Sequence, residues 1–201
     1  MTEISLTEFV DFAIKSGTPK LTKVKDIKRQ HEAGYHPAHD YYRKLREGIV
    51  AYHQEGLDKK FLDGLASNIG DKNKRETYPV LTEAYKKFLG RKKLAWFEPP
   101  RAEWMFSDLG VRVNPELGLT IDGDDYLVKL YFKEEKLTKN RLAIISNLML
   151  NGLGDQAEGC RIGILDVRRS KLHVFDSADP ALEPLLEGEA LAFCRMYEGS
   201  E

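Results

Sequence analysis

Pro115-Glu116-Leu117-Gly118-Leu119-Thr120-Ile121-Asp122-Gly123-Asp124-Asp125-Tyr126-Leu127-Val128-Lys129-Leu130-Tyr131-Phe132 is the stretch on which the fold turns. Pro115 to Gly118 has turn composition, and Leu117 to Ile121 alternates as a strand does. Asp122 to Asp125 is a strong turn signal. Tyr126 to Phe132 is then a clear strand, with Val128, Leu130 and Phe132 on one face and Leu127, Lys129 and Tyr131 on the other. Lys129 stands out. Among apolar neighbours its ammonium must pair with an acid or reach water. It is expected either to face acids, with a role toward phosphate or metal, or to protect an exposed sheet edge from aggregation.

Downstream, Thr138 caps a helix expected to run to about Leu150, with Leu142, Ile145, Leu148 and Met149 as its apolar stripe and Asn151-Gly152 as its stop. Arg161 to Val167 has the composition of a buried strand, with Leu172 to Phe175 as its hairpin partner. A last helix is expected from about Pro180 to Tyr197. Upstream, Leu94 to Phe97 is a short apolar run, and Val111-Arg112-Val113 alternates. Everything before residue 93 has helical grammar. A first helix is capped by Ser5 or Thr7 and stopped by Gly17, and a Lys-rich segment covers Leu21 to Arg29. The next helix spans Pro37 to Gln54, with Tyr41, Leu45, Ile49 and Tyr52 at helical spacing. A short helix opens at Leu57-Asp58, and another runs from Asp71 to Leu89, with Pro79 as a kink or a later start. The expected class is α+β: a helical region over 1–93, then a small mixed sheet with flanking helices over 94–201, the two forming separate domains or one shared core.

Of the 201 residues, 42% are apolar and 31% charged, the balance of a folded chain. No apolar run approaches the length of a spanning helix, which argues against a membrane partner. The opening Met1 to Ser5 lacks the marks of a signal peptide, and Cys160 and Cys194 are too few for a disulfide scaffold, so a cytoplasmic location is expected. The net charge of −1 conceals an asymmetry: 19 Lys and Arg against 13 Asp and Glu through residue 93, then 12 against 19. A basic front half fits a solvated helical face, a nucleic-acid surface or docking onto the acidic half. The cations that would meet DNA or RNA are Arg43, Arg46, Lys72, Lys74, Arg75, Arg91, Lys92 and Lys93, the first two beside Tyr41 and Tyr42.

The order α-β-β-β-α-β over about residues 71–167, with Glu116 before one strand and Lys129 on the next, resembles the core of the PD-(D/E)XK nuclease superfamily. The resemblance implies a domain that binds nucleic acid and, if active, cleaves phosphodiesters with Mg²⁺. Glu116, or else Asp122, would hold the metal, and Lys129 would assist the attacking water. The chain departs from the family where its second carboxylate belongs, two residues before the lysine, for Leu127 stands there. A migrated acid would have to replace it, with Asp166, Glu134, Glu135 and Glu83 as candidates. Without one, the domain is degenerate and binds only. The alternative is a non-enzymatic interaction or oligomerisation module, with a protein or a second copy as partner. His31, His36, His39 and His53 lack the spacing of a zinc finger and are expected to be ordinary surface or packing residues. Phosphate-loop, nucleophile-elbow and HExxH motifs are absent from the sequence.

Overall fold

The computed structural model describes residues 1–34, 40–67 and 69–200. It opens with strand β1 (Thr2–Ser5) and helix α1 (Leu6–Ala13), joined by a capping box: Ser5 Oγ accepts the Glu8 N–H, and Glu8 Oε2 accepts the Ser5 N–H. Gly17, expected to stop α1, instead precedes α2 (Thr18–Glu32), where its φ of +61° suits a residue without Cβ. Helix α3 (Arg43–Gln54) starts later than expected, and Pro37 lies outside the described residues. Asp58 caps α4 (Lys59–Leu65) and Asp71 caps α5 (Lys72–Leu89). Pro79 neither starts nor ends α5. The stripe of Tyr78, Leu81, Tyr85 and Phe88 buried beneath the helix offsets the one hydrogen bond that proline removes.

The strands follow as β2 (Leu94–Phe97), β3 (Ala102–Phe106), β4 (Leu109–Val113), β5 (Leu117–Ile121) and β6 (Asp124–Tyr131). Helix α6 (Lys139–Leu153), capped by Thr138, runs through Asn151-Gly152 rather than stopping there. A Cβ at Gly152 would come within 2.9 Å of Val113, so the glycine serves close approach to β4, and Gly154 ends the helix. Strands β7 (Arg161–Asp166) and β8 (Lys171–Phe175) form the expected hairpin, and α7 (Glu183–Glu198) closes the chain.

The class is α+β. The main sheet has the order β2-β5-β6-β7-β8, antiparallel throughout except for the parallel pair β6–β7, which α6 connects. A second sheet, β1-β4-β3, is built from the N-terminal strand and the β3–β4 hairpin. Strand pairing at β1 was invisible in the sequence because four residues carry too little pattern. Strand β6 is central, which removes the edge-protecting explanation of Lys129.

Each face of the main sheet carries its own apolar cluster. Leu117, Leu119, Val128 and Leu130 pack under α3, α4 and α5, while Leu127, Ile162 and Ile164 pack with α1, α6, α7 and the second sheet. Both halves of the chain supply both clusters: Phe9, Phe12, Val24 and Ile27 join the second, and Leu45, Ile49, Tyr78 and Tyr85 join the first.

Under α5, the His53 imidazole and the fully buried Tyr85 hydroxyl share a 2.5 Å hydrogen bond. Burial pushes the His53 pKa down from 6.5 to about 4, so the fold favours the neutral ring. The unfolded chain therefore takes up the extra proton first. This site's contribution to stability is whole above about pH 6.5 and is lost as the pH falls to about 4, a total of about 3 kcal/mol. Chemical denaturation across that range should show this slope in the native chain and a flatter one in His53→Gln. Equal slopes in the two would contradict it.

Candidate functional site

The register that pairs Leu117 with Val128 brings Glu116 level with Lys129 at the end of β5. The Glu116 N–H donates to the Val128 carbonyl at 3.0 Å, so the residue is anchored by its backbone before its side chain acts. Its Oε1 accepts from Lys129 Nζ at 2.6 Å, and its Oε2 accepts the Leu130 N–H at 2.8 Å. Leu130 lies beyond the last residue of β6 that β5 pairs, and the carboxylate serves its amide in place of a strand neighbour. Lys129 also donates to the Asn114 carbonyl at 3.2 Å, and both side chains are largely buried. The two residues singled out in the sequence are therefore brought together, with one acid rather than a cluster facing Lys129, and the pair is internally satisfied.

The other acids lie elsewhere. Asp122 sits at the far end of β5 with φ +53°, where its carboxylate accepts the Lys93 N–H and its own N–H donates to the Lys93 carbonyl, clasping the start of β2. Asp166, 2% exposed, accepts from the Arg169 backbone and guanidinium. Leu127 is fully buried in the core. Among the described residues, no group of three or more His, Cys, Asp and Glu side chains could hold a metal ion. Among the described residues, the donor set at Lys129 thus does not fit Mg²⁺, for both Glu116 oxygens are engaged.

Six of the front-half cations fall into two groups, and Arg43 and Arg46 lie apart from them on α3. Lys72, Lys74 and Arg75 start α5 and Arg91, Lys92 and Lys93 follow its end, so the 18-residue helix separates them by about 27 Å. Lys74 lies over the Tyr41 ring, Arg75 bonds the Gly70 carbonyl and Lys92 bonds that of Phe88. Arg43 pairs with Glu47. Arg46 is bound to Asp40 and close enough to Glu116 to feel its charge. Burial works against the guanidinium, but these acids hold its pKa above the ordinary value. Of the four histidines of the helical region, His31 meets Glu8 and the Tyr197 ring, and His53 meets Tyr85. His36 and His39 lie outside the described residues.

On the other face of the sheet, Lys129 lines a cavity of about 20 Å³ with Asp11, Tyr131, Lys133 and Arg141. Asp11, Lys133 and Arg141 also line a wider cleft of about 490 Å³ against α2. Arg141 donates to the Tyr131 hydroxyl, which donates in turn to the Glu135 carbonyl at 2.8 Å. Burial raises the Tyr131 pKa against the opposing charge of Arg141. Sequence reasoning missed this cluster. Arg141 did leave a signal, for it precedes Ile145 and Leu148 by four and seven residues and so occupies the apolar stripe of α6. Asp11 left none, since Lys133 and Arg141, two of its three partners, are more than a hundred residues away.

No protein-family model matches the chain, and neither does any curated protein or solved structure.

Replacing Leu127 by Glu would restore the family's second carboxylate in sequence, but it would bury an unpaired charge in the core. We expect Leu127→Glu to lose more than about 3 kcal/mol of stability in urea unfolding and to gain no metal-dependent activity. A folded variant that binds Mn²⁺ stoichiometrically would contradict this placement.

Proposed function

We propose that the protein associates with nucleic acid through a PD-(D/E)XK-like domain that binds the phosphate backbone without cutting it. The observation that carries the reading is the parallel pair β6–β7 with its α6 connection, whose carboxyl ends gather Lys129, Tyr131, Lys133 and Arg141 beside Glu116. Crevices outside the carboxyl ends of such strands are the usual ligand sites of open α/β sheets. The succession α5-β2-β5-β6-α6-β7, interrupted by the β3–β4 hairpin, keeps the element order of that superfamily. Binding without hydrolysis follows from Glu116, whose oxygens serve Lys129 and Leu130, and from the buried Leu127.

The charge asymmetry supports a partner as well. Among the described residues, Lys20–Glu189 is the one ion pair that joins a front-half cation to a back-half acid. Glu3–Arg112, Asp11–Lys133 and Asp11–Arg141 run the other way. Docking of the halves therefore consumes little of the front half's positive charge, which remains for an external polyanion.

Labelled single- and double-stranded DNA and RNA, incubated with Mg²⁺, Mn²⁺ or chelator over a salt series, test this reading. The expected result is binding that weakens steeply with salt, is independent of the metal and leaves the nucleic acid intact. Metal-dependent cleavage abolished in Lys129→Ala would replace it with the hydrolytic mechanism. Absence of binding at low salt by folded protein would overturn it.

A further inference from the structure

We propose that the cleft between α2 and the β6–α6 corner is a seat for a terminal phosphate dianion, with Arg141, Lys133 and Lys23 as its cationic ligands. The inference does not require the nucleic-acid reading, since a free phosphate would fit the same groups.

Arg141 carries it. Its side chain is nine-tenths buried, yet among the described residues its guanidinium makes one hydrogen bond, to the Tyr131 hydroxyl, and lies over that ring at 5.5 Å. Its nearest carboxylate, Asp11, is 3.9 Å away, beyond hydrogen-bond reach. A guanidinium has five N–H donors in a planar fork suited to phosphate oxygens, and the donors that Arg141 leaves without protein acceptors open to the cleft. An oxyanion in the cleft would supply them.

The charge around it points the same way. Among the described residues, Asp11 alone pairs with these three cations: it is bonded to Lys133, and Lys23 and Arg141 each stand 3.9 Å away. The remaining charged groups on the cleft are Lys15, Asp26 and Glu135, of which Asp26 is turned to Arg29 on its own helix. At about 490 Å³ the cleft has the size of a small-molecule pocket and admits more than the phosphate itself. The depth of Arg141 favours a chain end or a free anion over a diester inside an extended strand, whose neighbours would hold it away from the floor.

Calorimetric titration with inorganic phosphate at fixed ionic strength is the test, alongside matched oligonucleotides bearing a 5′-phosphate or a 5′-hydroxyl. Phosphate should bind, Arg141→Lys should weaken it about tenfold or more, and Lys23→Ala should weaken it several-fold. Asp11→Asn should strengthen it by removing the competing carboxylate. Lys23 is partly exposed with one long contact, so its variant keeps the test valid even if Arg141→Lys fails to fold. A 5′-phosphate preference that disappears in Lys23→Ala identifies a nucleic-acid end as the source, and binding of inorganic phosphate without that preference identifies a free anion. Oligonucleotides bound equally with either end, together with no binding of inorganic phosphate, would overturn the seat while leaving nucleic-acid association standing. Phosphate binding indifferent to Lys23→Ala, or weakened by Asp11→Asn, would overturn it too.

Discussion

A lysine on a strand buried on both faces is the constraint from which this end of the molecule follows. Strand β6 lies between β5 and β7, with one apolar cluster above it and another below. An ammonium there must find a carboxylate, because an isolated charge in such surroundings costs several kcal/mol. Glu116 answers it from the turn before β5, and the same carboxylate caps the Leu130 amide that β5 is too short to reach. One acid thus closes the ion pair and the end of the sheet together, and this double duty takes it out of service as a metal ligand.

What the fold then presents at this end is positive charge drawn from both halves of the chain. Arg46 comes from the helical layer on one face. Lys23 comes from α2 on the other, and Lys133 and Arg141 from the loop and helix after β6. The N-terminal segment is central to this. Its strand β1 completes the second sheet, and its first helix brings Asp11 against Lys133. The basic front half is thereby both scaffold and surface, and most of its cations look outward rather than toward the acidic back half.

Much of this was legible in the sequence wherever a strong local pattern existed. The alternation around Asp122-Gly123 specified β5 and β6. Ser5, Asp58, Asp71 and Thr138 marked helix starts, and Glu116 and Lys129 stood out as candidate site residues, although their pairing is visible only in the register. Long-range juxtaposition was what the sequence hid. Nothing near Asp11 announces Lys133, and a four-residue strand such as β1 has no periodicity to read. Gly152 looked like a helix stop because its true reason, contact with Val113, lies on a distant strand. Asp122 stood in the sequence as the alternative to Glu116, and the structure puts the two at opposite ends of β5.

A double-mutant cycle on Glu116 and Lys129 tests the central claim most directly, with unfolding free energies measured in Glu116→Gln, Lys129→Met and the double variant. If the two groups exist for each other, each single change strands a buried partner, and the cycle should return a coupling of about 1–3 kcal/mol. A coupling within about 0.5 kcal/mol of zero would show that Glu116 is not committed to Lys129, and the account of a satisfied, non-catalytic pair would fall.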